Sequence, residues 1–213
     1  MRNPNHLGLI IFLLGSYLVL CFMLGLNPYD RATWWAENLP VMITVTLLIV
    51  TYSKFQFSNT AYCLMWLFLC VHTIGGHFTF ARVPFETGNY LLSLTSMDGL
   101  FPEGRNNFDR LGHFLVGVFA YPVAELAYRQ KWVSNITMAI VLGIFALGFW
   151  GALYEVIEMI YAVMEGGESG QDFLGSQGDV WDAQKDMALD ILGASLACSL
   201  FAWQYGVRKA NNY

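Results

Sequence analysis

Charge is scarce in this chain. Of 213 residues only 13% are charged while 56% are hydrophobic, against about 25% charged in ordinary soluble domains. So little charge cannot cover a globular surface of this size, which excludes a water-soluble domain. Lys and Arg are few and scattered under a net charge of −5, and the lack of a basic stripe excludes a nucleic-acid partner. Thiols are no more helpful as staples. Cys21, Cys63, Cys70 and Cys198 all fall inside apolar segments, where they read as packing residues and not as a disulfide framework. There is no internal repeat, no low-complexity tail and no stretch polar enough to form a soluble domain. A cleavable signal is not expected either. The first apolar run, 6–26, exceeds a signal core of about 7–15 residues, no small-residue cleavage site follows, and Leu20 stands where a lipoprotein signal would want a small residue before Cys21.

What the chain does have is apolar residues in blocks of about 20, enough to cross a hydrocarbon core roughly 30 Å thick. Six spans are predicted, at 6–26, 36–53, 60–80, 110–128, 136–160 and 186–206. Backbone groups in lipid must be satisfied internally, so runs of this length are helices. Turn residues punctuate them: Asn27-Pro28, Lys54 to Asn59, Pro102 to Asn107, and the glycine-rich run from Gly166 to Gly178. The expected fold is all-α, a polytopic bundle of about six transmembrane helices in a single integral membrane domain, 1–213. Arg2, Lys54, Arg129, Lys131, Arg208 and Lys209 fall on one side, free of acids in its short connections, whereas Arg31, Arg82, Arg105, Arg110 and Lys185 mix with nearly all the acids on the other. By the positive-inside rule both termini are cytoplasmic and the loops 82–107 and 165–182 lie outside.

Under this topology the ionisable residues gather at one depth. His72 and His77 end the third span; Asp109, Arg110 and His113 open the fourth. Glu155 and Glu158 close the fifth, and Asp179, Asp182, Asp186 and Asp190 lead into the sixth. Asp109 and His113 are i, i+4; Glu155 and Glu158 are i, i+3; Asp182, Asp186 and Asp190 repeat at i+4, so each helix presents one polar stripe. A carboxylate at mid-bilayer costs about 2.5–3.5 kcal/mol on the lenient insertion scale. The cluster therefore needs protons, the arginines Arg82, Arg105 and Arg110, or a bound cation. Carboxylates with a few imidazoles and no thiolate suit Mg²⁺, Mn²⁺, Ca²⁺ or, if two His ligate, Zn²⁺. The candidate metal ligands are His113, Glu155, Glu158, Asp186 and Asp190, with His72, His77, Asp109 and Asp182 as weaker ones. No H-E-x-x-H pattern is present and no residue stands out as a catalytic nucleophile.

Plainer readings apply to several of these residues. A lone His72 in an apolar stretch beside Gly75-Gly76 is more often a packed histidine than a ligand, and His77 can be solvated at the interface. Asp179 fits an N-cap, with Asp182 favouring the helix dipole. Glu165, Glu168 and Asp172 read as solvated in the glycine-rich loop. Glu125, near the cytoplasmic end, fits a pair with Arg129. Trp34, Trp35, Trp132 and Trp181 read as interfacial anchors. Asn135-Ile-Thr matches a glycosylation sequon but falls on the cytoplasmic side. Gly143, Gly148 and Gly151 fit close helix approach, within one chain or between two.

Three stretches carry a family resemblance: Asn107-Phe-Asp-Arg-Leu-Gly-His113-Phe, Tyr154-Glu-Val-Ile-Glu158, and Leu174 to Met187 followed by Asp190 and Gly193. With them the chain resembles the YjdF-type bacterial inner-membrane proteins, a family of unknown function, over most of its length. More distantly, Asp109, His113, Glu155, Asp186, Asp190 and Gly193 are similar to the pattern of the VanZ-like membrane proteins. Glu158 and the longer acidic 165–182 loop depart from that pattern, and no Arg occupies the loop. The resemblance implies a multi-pass protein of the bacterial cytoplasmic membrane with a role in the envelope. The function expected on these grounds is a divalent-metal site at the extracytoplasmic leaflet. It would act on an envelope lipid or its phosphorylated head group, with Arg82, Arg105 and Arg110 receiving that group. The alternatives are a proton-coupled transporter or exchanger, for which no inverted repeat is visible, and a non-catalytic accessory protein. Oligomeric state is left open.

Overall fold

The chain was described from a computed structural model covering residues 4–95 and 97–210, with side chains except at 4, 5, 168, 169, 172 and 207–210. Among the described residues all regular structure is helical: α1 (Pro4–Leu26), α2 (Arg31–Thr51), α3 (Asn59–His77), α4 (Glu86–Ser93), α5 (Phe108–Gly117), α6 (Ala120–Arg129), α7 (Ile136–Glu165), α8 (Gly167–Leu174) and α9 (Asp182–Ala210). Five segments are long and apolar enough to cross a membrane: α1, α2, α5 with α6, α7 and α9. The sixth expected span, α3, is 19 residues long and is not among the five; it carries His72, Thr73 and two glycines at buried positions. Large apolar side chains point outward, among them Phe12 (66% exposed), Phe22 (67%), Phe145 (73%) and Phe149 (69%). A surface so apolar belongs against lipid. The protein is a polytopic helical membrane bundle.

Several boundaries differ from the sequence reading for local reasons. Helix α2 begins at Arg31, five residues before the predicted start, because the Asp30 side chain caps it by accepting from the Thr33 amide at 2.7 Å. The third span stops at His77, since Thr79 and Phe80 adopt positive φ (55° and 50°) and the chain turns back. The fourth is broken at Val118–Phe119 into α5 and α6. The fifth and sixth run on to Glu165 and back to Asp182. The loops 82–107 and 165–182 hold the short helices α4 and α8. Asn135 caps α7 through the Met138 amide at 2.9 Å, which occupies the side chain of the sequon. Trp34 is corrected from an interfacial anchor to a core residue, 5% exposed and packed on Gly25. Trp35, Trp132 and Trp181 are exposed. Arg2 and the side chains of Arg208, Lys209, Glu168 and Asp172 lie outside the described residues.

The core that positions the site is the packing of α5 and α6 against α7 and α9. It centres on Leu115, Tyr121, Ala124, Leu147, Cys198 and Phe201, all buried. Helices α5 and α9 approach at Gly117 and Gly193. A Cβ at Gly193 would strike the carbonyl oxygen of Phe114, and one at Gly117 would strike that of Asp190. Gly143 lies against Ala120 and Cys198, so the glycines of α7 serve packing within this chain.

Replacing Gly193 by Leu should therefore lower stability by about 2 kcal/mol or more. The readout is the thermal unfolding midpoint in detergent. Gly148→Ala, whose new methyl meets only Ile191 at 3.5 Å, should leave that midpoint nearly unchanged.

Candidate metal centre

One stripe from α5 and one from α9 face each other across the glycine contact. Arg110, fully buried, spans them: one terminal nitrogen donates to the Asp182 carbonyl (3.2 Å) and to Asp186 Oδ1 (3.1 Å), the other to Asp179 Oδ2 (2.9 Å) and Asp182 Oδ1 (2.8 Å). Arg105 adds a second guanidinium, 2.7 Å from Asp182 Oδ1 and 3.5 Å from Asp109 Oδ2, and donates to the Ser176 carbonyl. Two of the three arginines expected at a head group thus have their terminal nitrogens on aspartates. Arg82 is exposed, its guanidinium 4.5 Å from the centroid of the Tyr29 ring. Asp179, outside the span, also takes the Lys185 ammonium at 2.7 Å. That ammonium chiefly holds its carboxyl below the ordinary value. Asp179 accepts from the Trp181 amide at the start of α9 as well, close to its expected capping role.

Next along the same stripes sits His113, 5% exposed. Its Nδ1 lies 3.3 Å from Asp190 Oδ2, while Nε2 faces Glu155 Oε1 at 3.5 Å and Asp109 Oδ1 at 3.8 Å. One ligand atom each from Asp109, His113 and Asp186 fall within 4.8 Å of one another. Two ligands on opposite sides of a divalent cation stand about 4–5 Å apart, so the spacing fits an ion. Asp190 Oδ1 and Glu155 Oε1 are buried with no hydrogen-bond partner. Asp190 itself is seated by Gly151, where a Cβ would collide with its carboxylate.

Beyond His113 opens a cavity of about 310 Å³, with Glu37, His72, Asp109, His113, Tyr154 and Glu158 at its polar end. Glu37, on α2, escaped the sequence reading. It is 3% exposed, accepts from the Tyr154 hydroxyl at 2.6 Å, and lies 3.4 Å from His72 Nε2. His72 also contacts the Glu37 carbonyl (3.0 Å), so it is a packed, partnered histidine. His77 Nδ1 contacts the Leu24 carbonyl (2.7 Å), apart from the cluster. Glu125 sits at the opposite end, accepting from the Ser58 amide and hydroxyl (2.8 Å each) and from Arg129 (2.5 Å). Glu165 is exposed.

Residues 9–206 match the family described as "Predicted membrane protein (DUF2238)". The chain belongs to this family. It is also 34% identical over 192 residues to the inner membrane protein YjdF of Escherichia coli strain K12, covering 89% of this chain and 86% of that one. No solved structure matches. Members of this family are membrane proteins, and this one is a multi-pass protein of the inner membrane. A His/carboxylate cluster lies between its helices.

Arg110→Ala would strand Asp186 in a buried setting, while Asp179 keeps Lys185 and Asp182 keeps Arg105. Removing one partner of a buried ion pair costs about 3–5 kcal/mol, so its unfolding midpoint should fall far more than that of Arg82→Ala. Adding Asp186→Asn to Arg110→Ala should recover part of the loss. Equal effects of the two arginine substitutions would show that the buried network contributes little.

Proposed function

We propose that this protein holds a divalent cation between α5, α7 and α9 and uses it on the head group of an envelope lipid at the outer leaflet. The observation that carries this reading is the two-sided environment of His113. One ring nitrogen is held by Asp190, and the other faces Asp109 and Glu155, with Asp186 close by. A metal-bound histidine commonly has its second nitrogen fixed by a carboxylate in this way. Asp109, His113 and Asp186 are the ligands in this account, Glu155 adjoins them, and Asp190 orients the ring. One imidazole among carboxylates suits Mn²⁺ or Zn²⁺. Charge supports the same conclusion. Asp109, Asp179, Asp182 and Asp186 pair with Arg105, Arg110 or Lys185, while Glu37, Glu155, Glu158 and Asp190 lie around His113 and the cavity beside it. The surplus calls for a cation or for protons.

A divalent ion held there would supply Lewis acidity to a head-group oxygen. Glu155, whose Oε1 lies 3.5 Å from His113 Nε2, would be the nearby group able to take a proton. Glu158 and Glu37 line the wall from which a head group would approach. Placing the site in the outer leaflet rests on Lys54, Arg129 and Lys131 marking the opposite end as cytoplasmic. The distant likeness to VanZ-like proteins agrees with a role in the envelope. A proton-coupled exchanger is the less favoured reading, because Glu125, its natural inward relay, is held by Ser58 and Arg129 and does not line the cavity.

Elemental analysis of the detergent-purified protein should find about one Mn²⁺ or Zn²⁺ per chain after loading. Asp109→Asn and His113→Ala should abolish it in protein that remains folded. Asp190→Asn should weaken binding by about 10–100-fold, as loss of an orienting carboxylate does. Metal content unchanged in all three folded variants, or no metal in the loaded wild type, would refute the proposal.

A further inference from the structure

The cavity beside His113 continues well past the polar cluster. Its floor is apolar, formed by Val41, Phe68, Val116, Phe119 and Leu147, of which Val41 and Leu147 are buried at 3% and 6% exposure. Toward the membrane it is lined by Pro40 and Thr44 on α2 and by Trp150 and Tyr154 on α7. Pro40, Thr44 and Tyr154 are half-buried, and Trp150 is 45% exposed. Helices α2 and α7 do not pack along each other. The bond from Tyr154 to Glu37 joins them at the outer end, above an open seam. Both helices are membrane spans, so the seam opens sideways into lipid and not into water.

Dimensions identify the occupant. The wall of the cavity on α7 extends from Ala146 to Glu158, roughly 18 Å at about 1.5 Å per residue. One leaflet of a hydrocarbon core roughly 30 Å thick measures about 15 Å. The slot is therefore one leaflet long, apolar below and ionisable at the top. Its volume lies at the small end of ligand pockets, about 300–1,000 Å³, which suits one hydrocarbon chain and not a whole lipid. What reaches such a seam from the side is lipid.

We infer that the slot between α2 and α7 takes one acyl chain of an outer-leaflet lipid, entering laterally past Trp150 and placing that lipid's polar group beside His113, Glu158 and Glu37. This deepens the metal reading above and rests on it for the head group only; seating of the tail requires no ion. The substrate class is thereby a lipid with a free-standing acyl chain, and a soluble phosphate ester would leave the slot unfilled.

The test uses the full chain in vesicles of phosphatidylethanolamine and phosphatidylglycerol. They are doped with a phosphatidylglycerol that carries a diazirine part-way along one acyl chain. After irradiation, adducts are mapped by mass spectrometry. The slot predicts adducts on Val41, Phe119 and Leu147, in addition to the outward-facing Phe145 and Phe149. Ala146→Phe and, separately, Val116→Phe should cut the inner adducts about fivefold while the outward ones persist. Wild-type adducts confined to outward residues, or inner adducts unchanged in both filled variants, would overturn the inference. Metal content measured on the same samples keeps the two readings apart. Metal without inner adducts refutes the slot alone, and inner adducts without metal refute the metal centre alone.

Discussion

A guanidinium with no exposed surface is the constraint on which the rest of this structure depends. Burying an ion costs several kcal/mol even after relaxation, and Arg110 offsets that cost by drawing Asp179, Asp182 and Asp186 around it. Asp182 and Asp186 are one turn apart on α9, so both can reach Arg110 only in one register of α5 against α9. That register carries His113, one turn along α5, to Asp190, one turn along α9. Gly117 and Gly193 allow the backbones to come close enough for it. The site is thus a consequence of ion pairing and of small residues at the crossing, not of a dedicated loop.

One acidic cluster divides into three roles. Near Arg110 the aspartates are neutralised and hold the helices together. Around His113 the carboxylates are in excess, and Asp190 Oδ1 and Glu155 Oε1 lack partners in a buried setting. An unpaired buried acceptor is costly, so this is where a cation or a proton has the most to contribute. Farther on, Glu37 and Glu158 line the polar end of an apolar slot. A structural network alone would explain the first zone; it does not explain the other two.

Much of this was legible in the residues. Apolar block length gave the membrane bundle, and the i, i+4 stripes of α5 and α9 gave the convergence of Asp109, His113, Asp186 and Asp190. Arg105 and Arg110 were open to two roles from sequence, as counter-charges to the acids or as receivers of a head group. Only the packing of α5 on α9 shows their nitrogens on aspartates. Glu37 was missed because it is the one acid of its helix, with no ionisable residue a turn away. Reading Asp30 as the cap would have placed Glu37 well inside the span, where an unpartnered acid demands attention. The partner that stabilises it, Tyr154, is on α7 and far away in sequence. The break at Val118–Phe119 and the slot between α2 and α7 arise from helix packing, which periodicity along one helix does not report.

The central claim is that His113 binds a cation through the nitrogen that Asp190 leaves open. Pulsed electron paramagnetic resonance of the Mn²⁺-loaded protein tests it directly. The account predicts one strongly coupled histidine nitrogen that disappears in His113→Gln. Mn²⁺ bound with no nitrogen coupling, or with a coupling that survives His113→Gln, would contradict it.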